Sequence, residues 1–143
     1  MGQKEAVYII PKFTFEAGGV LENMKVGYVT FGKLNAAKDD AILVVPGTSG
    51  NRHSSDSLIG PGKTFDTDKY FVIGVDPIGG GNSSSPKDRL GIAFPKYNIQ
   101  DLVRAQHELP SIKGHLACCQ PPGTVEYAFV SERTKAFLDD LAK

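Results

Sequence analysis

Neither sign of charge is in excess in this chain: sixteen Lys and Arg stand against sixteen Asp and Glu in 143 residues. Without a clustered positive face there is no field to gather nucleic acid or an anionic membrane surface, so neither is expected as a partner. Long apolar runs are missing too. The one near the amino end, Ala6 to Ile10, is too short for a secretory signal and far too short to cross a bilayer. Ala6 also stands where a myristoylation signal needs Ser or Thr. The two cysteines, Cys118 and Cys119, are neighbours, and a bridge between them would be a strained ring. They read as reduced thiols, and a cytoplasmic setting is expected. The histidines and cysteines fall into no C-x-x-C or H-x-x-x-H spacing, so no metal and no cofactor is expected.

What is present suits one compact domain, residues 1–143, with no internal repeat. Val7 to Ile10 and Phe13 to Phe15 read as short strands on either side of Pro11, and Ala17-Gly18-Gly19 as a turn. From Leu21 to Phe31 the apolar pattern alternates as a half-buried antiparallel strand requires. Ala41 to Val45 and Tyr70 to Val75 are apolar throughout, which is typical of strands covered on both faces of a parallel sheet. Each stops at turn formers, Pro46-Gly47 and Asp76-Pro77, and open α/β sheets bind ligands at those carboxyl ends. Asn98 is placed to cap a helix carrying Ile99, Leu102, Val103, Gln106 and Leu109, which Pro110 ends. Ser111 to Gly123 reads as a loop, and Val125 to Ala142 as a second helix capped by Thr124.

Three segments carry chemical signals. Gly62-Lys63-Thr64 imitates a phosphate-binding loop, but Ser57 stands where glycine is needed and a strand follows instead of a helix, so it reads as a turn. Ser49, in Gly47-Thr48-Ser49-Gly50 after an apolar strand, invites a nucleophile reading with His53 or His115 as base. Its second glycine comes one residue too early for the Gly-x-Ser-x-Gly elbow, and that pentapeptide occurs nowhere in the sequence. Ser83-Ser84-Ser85 is a weaker candidate still.

The strings Gly60 to Asp76, Pro77-Ile78-Gly79-Gly80-Gly81, Phe94-Pro95 and Asp101-Leu102-Val103-Arg104-Ala105-Gln106 resemble the homoserine O-acetyltransferase branch of the α/β-hydrolases. The resemblance implies a partial α/β-hydrolase fold, in which antiparallel strands at the amino end lead into a parallel sheet with flanking helices. Residues 1–109 resemble the family's N-terminal part. Residues 110–143, with Gly114-His115, resemble its extreme C-terminus. The nucleophile strand, acidic triad member and lid between them are missing, as if by an internal deletion. The resemblance assigns Gly47 and Thr48 to the oxyanion loop and His115 to a remnant general base. Intact relatives transfer acyl groups through a Ser-His-Asp triad and take a small-molecule acyl donor or ester. Little or no activity is expected of this short form, and the alternative is a non-catalytic self-associating or binding module. Pro46-Gly47-Thr48 departs from the His-containing loop commoner in homoserine acetyltransferases. A deletion at this point would also leave Ala41 to Val45 as an uncovered apolar edge, so a homo-oligomer is expected.

Overall fold

The computed structural model describes residues 2–36, 40–47, 49–88, 90–109 and 115–118, the last four by their backbone alone. Five strands form one sheet: β1 (Lys4–Thr14), β2 (Val20–Phe31), β3 (Ala41–Val45), β4 (Phe71–Val75) and β5 (His115–Cys118), in the order β1-β2-β4-β3-β5. β1 and β2 are an antiparallel hairpin, β2 pairs antiparallel with β4, and β4, β3 and β5 run parallel. Among the described residues one α-helix, α1 (Ile99–His107), lies on the chain between β4 and β5. This is the expected α/β arrangement.

β1 is one continuous strand where two short ones were expected around Pro11. Pairing resumes on either side of the proline, with Ile10 opposite Met24 and Lys12 opposite Glu22. Because β1 borders the sheet, the missing N–H of Pro11 costs no bond to a second neighbour. The turn that closes the hairpin is the expected one, with the Phe15 N–H donating to the Gly19 carbonyl at 2.8 Å and Gly18 at φ +88°.

Two apolar layers flank the sheet. On one side Ile10, Phe13, Phe15, Met24, Val26, Leu43, Ile73 and Val75 pack with Ile78, Phe94, Ala105 and Leu109, which brings α1 down onto the strands. On the other, Val29, Phe31, Val44 and Val72 pack with Ile59 and Phe65 from the long connection between β3 and β4. β3 and β4 contribute to both layers, which is why their sequences are apolar without alternation.

α1 starts as its sequence requires. The Asn98 side chain accepts the Asp101 N–H at 3.0 Å, and the Asp101 carboxylate accepts the Asn98 N–H at 3.1 Å, a reciprocal capping box. Asp101 is fully buried and also accepts the Glu16 N–H at 2.9 Å, so the same carboxylate ties the helix to the β1–β2 turn. Arg104, one turn along, bonds Glu16 at 2.9 Å and lies over the Phe13 ring at 5.1 Å.

The loop expected over Ser111 to Gly123 is replaced at 115–118 by β5, which pairs with β3 from Ile42↔His115 to Val45↔Cys118. The physical reason is the unsatisfied backbone of β3: an apolar strand takes whatever neighbour the chain offers. The edge from which self-association was expected is therefore paired within the chain. The expected helix from Val125 to Ala142 lies outside the described residues. Among those residues, no helix is long and apolar enough to cross a membrane.

Candidate site at the carboxyl ends of β3 and β4

Two loops leave the same end of the parallel strands: residues 46–58 after β3, and 76–88 after β4. Asp76 joins them. Its carboxylate is buried and accepts three hydrogen bonds: Arg52 N–H at 2.9 Å, Arg52 Nη1 at 2.6 Å and Asn82 N–H at 2.8 Å. Acceptance from a backbone donor in each loop, together with a guanidinium, fixes both loops against one charge. Glycine makes room for this. A Cβ at Gly81 would overlap the Asp76 carboxylate, and one at Gly74 would overlap the Arg52 carbonyl.

Arg52 continues outward. Its Nη2 donates to Glu5 Oε2 at 2.7 Å, so one guanidinium links the amino end of β1 to the buried end of β4. Burial alone would lower the Arg52 pKa, but hydrogen bonds to Glu5 and Asp76 outweigh it and hold the guanidinium above its ordinary value. The Arg52 hydrogen bond likewise holds the Glu5 carboxyl below its ordinary range.

Gly47 lies half-buried at the start of the first loop, and its carbonyl accepts the Gly50 N–H at 2.9 Å in a tight turn. Thr48 lies outside the described residues. Ser49 is exposed, with φ +62°. His53 does not serve it, because both ring nitrogens face carboxylates: Nδ1 lies 2.9 Å from Asp56 and Nε2 lies 3.3 Å from Glu5. The backbone of His115 pairs with Ile42, three residues and about 10 Å short of the carboxyl end of β3. The register thus does not bring His115 beside Gly47.

The serine run has a structural task. Ser83 Oγ accepts the Gly27 N–H at 3.0 Å and donates to the Asp76 carbonyl at 3.1 Å, and Ser84 Oγ accepts the Lys25 N–H at 2.8 Å. All three serines are buried, and these two fasten the loop after β4 to β2. Among the described residues, no group of His, Cys, Asp or Glu could hold a metal ion. Reading the sequence missed Arg52 as the partner of Asp76 and Glu5 as the second partner of Arg52. The one available signal was a carboxylate closing an otherwise apolar strand, which has to find a donor when buried.

No protein-family model matches the chain. It is 37% identical to the homoserine O-acetyltransferase of Deferribacter desulfuricans over 68% of this chain and 31% of that protein. It is 35% identical to the homoserine O-succinyltransferase of Dechloromonas aromatica over 68% of this chain and 32% of that one. Among solved structures, the acetyl esterase MekB superimposes with a TM-score of 0.68 and 34% identity, covering 73% of this chain and 32% of that chain. The chain spans about a third of the length of these relatives. Over its matched part it is homologous to the homoserine O-acetyl- and O-succinyltransferases, and its structural neighbours are α/β-hydrolase acetyltransferases and esterases.

Proposed function

We propose that this chain is an acyltransferase- or esterase-type α/β-hydrolase unit that keeps the oxyanion loop but turns over little or no substrate in this short form. The observation that carries the reading is the loop after β3. Gly47 opens it at the carboxyl end of a parallel strand, and Arg52 anchors it to buried Asp76, which is how a rigid backbone donor would be held for an acyl oxyanion. Gly47 and Thr48 are the donors on this reading. The acyl donor or ester would be a small molecule, as the names of the relatives suggest.

The nucleophile is what the reading lacks. No Gly-x-Ser-x-Gly occurs among the 143 residues, and His115 would act as base only from a segment docked elsewhere than β5. Acetyl transfer from acetyl-CoA to homoserine and hydrolysis of p-nitrophenyl acetate are the assays. No transfer and at most trace hydrolysis are expected; robust turnover abolished by Ser49→Ala would overturn the proposal.

A second reading, a self-associating module without catalysis, is favoured by Val7 and Ile9, which stand 43% and 42% exposed on the border strand β1. Light scattering tests it. A monomer at all concentrations would remove it.

A further inference from the structure

The face of the β1–β2 hairpin that carries Val7 and Ile9 is hollowed. Val7 stands opposite Gly27 and Ile9 opposite Lys25. Gly27 has no side chain, and the loop after β4 comes down onto it: a Cβ there would overlap the Asp76 carboxylate and press on Asn82. An open cleft of about 430 Å³ is left between the hairpin and residues 81–88. Val7, Ile9 and Lys25 line it from the strands, and Asn82 and Asp88 are among the residues that line it from the loop.

The loop wall is fastened to the strands. Ser83 Oγ accepts the Gly27 N–H and Ser84 Oγ accepts the Lys25 N–H, while the Ser84 N–H donates back to the Lys25 carbonyl at 3.0 Å. Asp88 is fixed by its own turn, its carboxylate accepting the Ser85 N–H at 3.1 Å and its N–H donating to the Ser85 carbonyl at 2.9 Å. The cleft therefore carries one charge of each sign at set places. Among the described residues neither Lys25 nor Asp88 forms an ion pair, with the other or elsewhere, and the Asn82 side-chain amide makes no hydrogen bond.

We propose that this cleft binds a zwitterion with an aliphatic body, an ω-amino carboxylate. The carboxylate goes to the Lys25 ammonium and the Asn82 amide, the methylene chain lies along Val7 and Ile9, and the ammonium goes to Asp88. Two separated charges of opposite sign with an apolar floor between them match that order of groups and reject a ligand charged at one end alone. The volume lies within the usual range for small-molecule sites. Lys25 and Asp88 are exposed, so each end contributes modestly, and covering the half-exposed Val7 and Ile9 supplies the rest. Gly47 and Thr48 take no part, so the site stands whether or not the chain transfers acyl groups.

The test is an NMR titration of the full chain with ε-aminocaproate. Saturable shifts at the Val7 and Ile9 methyls and the Asn82 side-chain amide are expected at millimolar concentration. γ-Aminobutyrate has the same charges on a shorter body and should bind about five-fold more weakly. Caproate and hexylamine each lack one charge and should bind about three-fold more weakly. The double change Val7→Thr with Ile9→Thr keeps β-branched side chains in the strand and should weaken ε-aminocaproate about ten-fold. Lys25→Met keeps the aliphatic stem and should weaken it about three-fold. Absence of a saturable shift, equal binding of all four compounds, or unchanged affinity in either variant would overturn the proposal. So would Val7 and Ile9 methyls that move with protein concentration instead of ligand, since the face would then be an interface between copies. Should the variants not fold, the ranking of the four compounds on the unsubstituted protein decides.

Discussion

Replacing Asp76 by alanine removes the group on which both site loops hang. Three donors lose their acceptor at once, and the Arg52 guanidinium, 12% exposed, keeps only its outer partner Glu5. Breaking a buried pair by deleting one partner costs about 3–5 kcal/mol, because the other charge stays desolvated. Against a total stability of about 5–15 kcal/mol this is a large share. With a urea slope of about 1.5 kcal/mol/M, the unfolding midpoint should fall by about 2–3 M. Asp76→Asn keeps one acceptor oxygen and should cost less, about 1–3 kcal/mol. The double change Arg52→Met with Asp76→Leu removes both charges and should be milder than Asp76→Ala alone. Equilibrium urea unfolding of the three variants measures this. A midpoint shift below about 0.5 M for Asp76→Ala at unchanged slope would refute the reasoning, as would a double variant less stable than Asp76→Ala.

Gly74→Ala drives a Cβ into the Arg52 carbonyl, so the loop after β3 has to move off β4; a loss of about 1–3 kcal/mol in the same unfolding assay is expected. Asp101→Ala opens the capping box and orphans the Glu16 N–H, and should cost about 1–3 kcal/mol with reduced helix signal in circular dichroism. Acid should destabilise the fold in a set window. Glu5 is held below its ordinary pKa by Arg52, and Asp66 by the backbone N–H groups of Gly62 and Asp68. Their contribution is complete above the ordinary carboxylate range of about pH 4 and is lost as the pH falls through their lowered values. Thermal midpoints should be flat from neutral pH down to that range and then drop; a midpoint that rises on acidification contradicts the assignment.

The elements written by short-range pattern were legible in the sequence. β2, β3 and β4 follow from their apolar patterns, and Asn98 and Pro110 bracket α1 because capping and proline act within a few residues. Pro11 misled because its cost depends on whether the strand borders the sheet, which is a property of strand order and not of local sequence. β5 was missed for the same kind of reason: His115 to Cys118 is too short a run to declare itself, and its pairing is set by the open side of β3. At the site, the loop after β3 was legible from Pro46-Gly47. The Glu5–Arg52–Asp76 chain was not, since its members lie far apart in sequence and no periodicity links them.

The strand order also governs the sequence of events during synthesis. The β1–β2 hairpin closes through a short turn and can form as soon as it leaves the ribosome. β3 is made next, yet its place is not beside β2, because β4 must come between them. Until residues 71–75 have emerged, Ala41 to Val45 is an apolar segment with no ladder to join, and its second partner, β5, arrives later still. The stretch of translation between β3 and β4 is thus when the nascent chain most needs shielding from its neighbours.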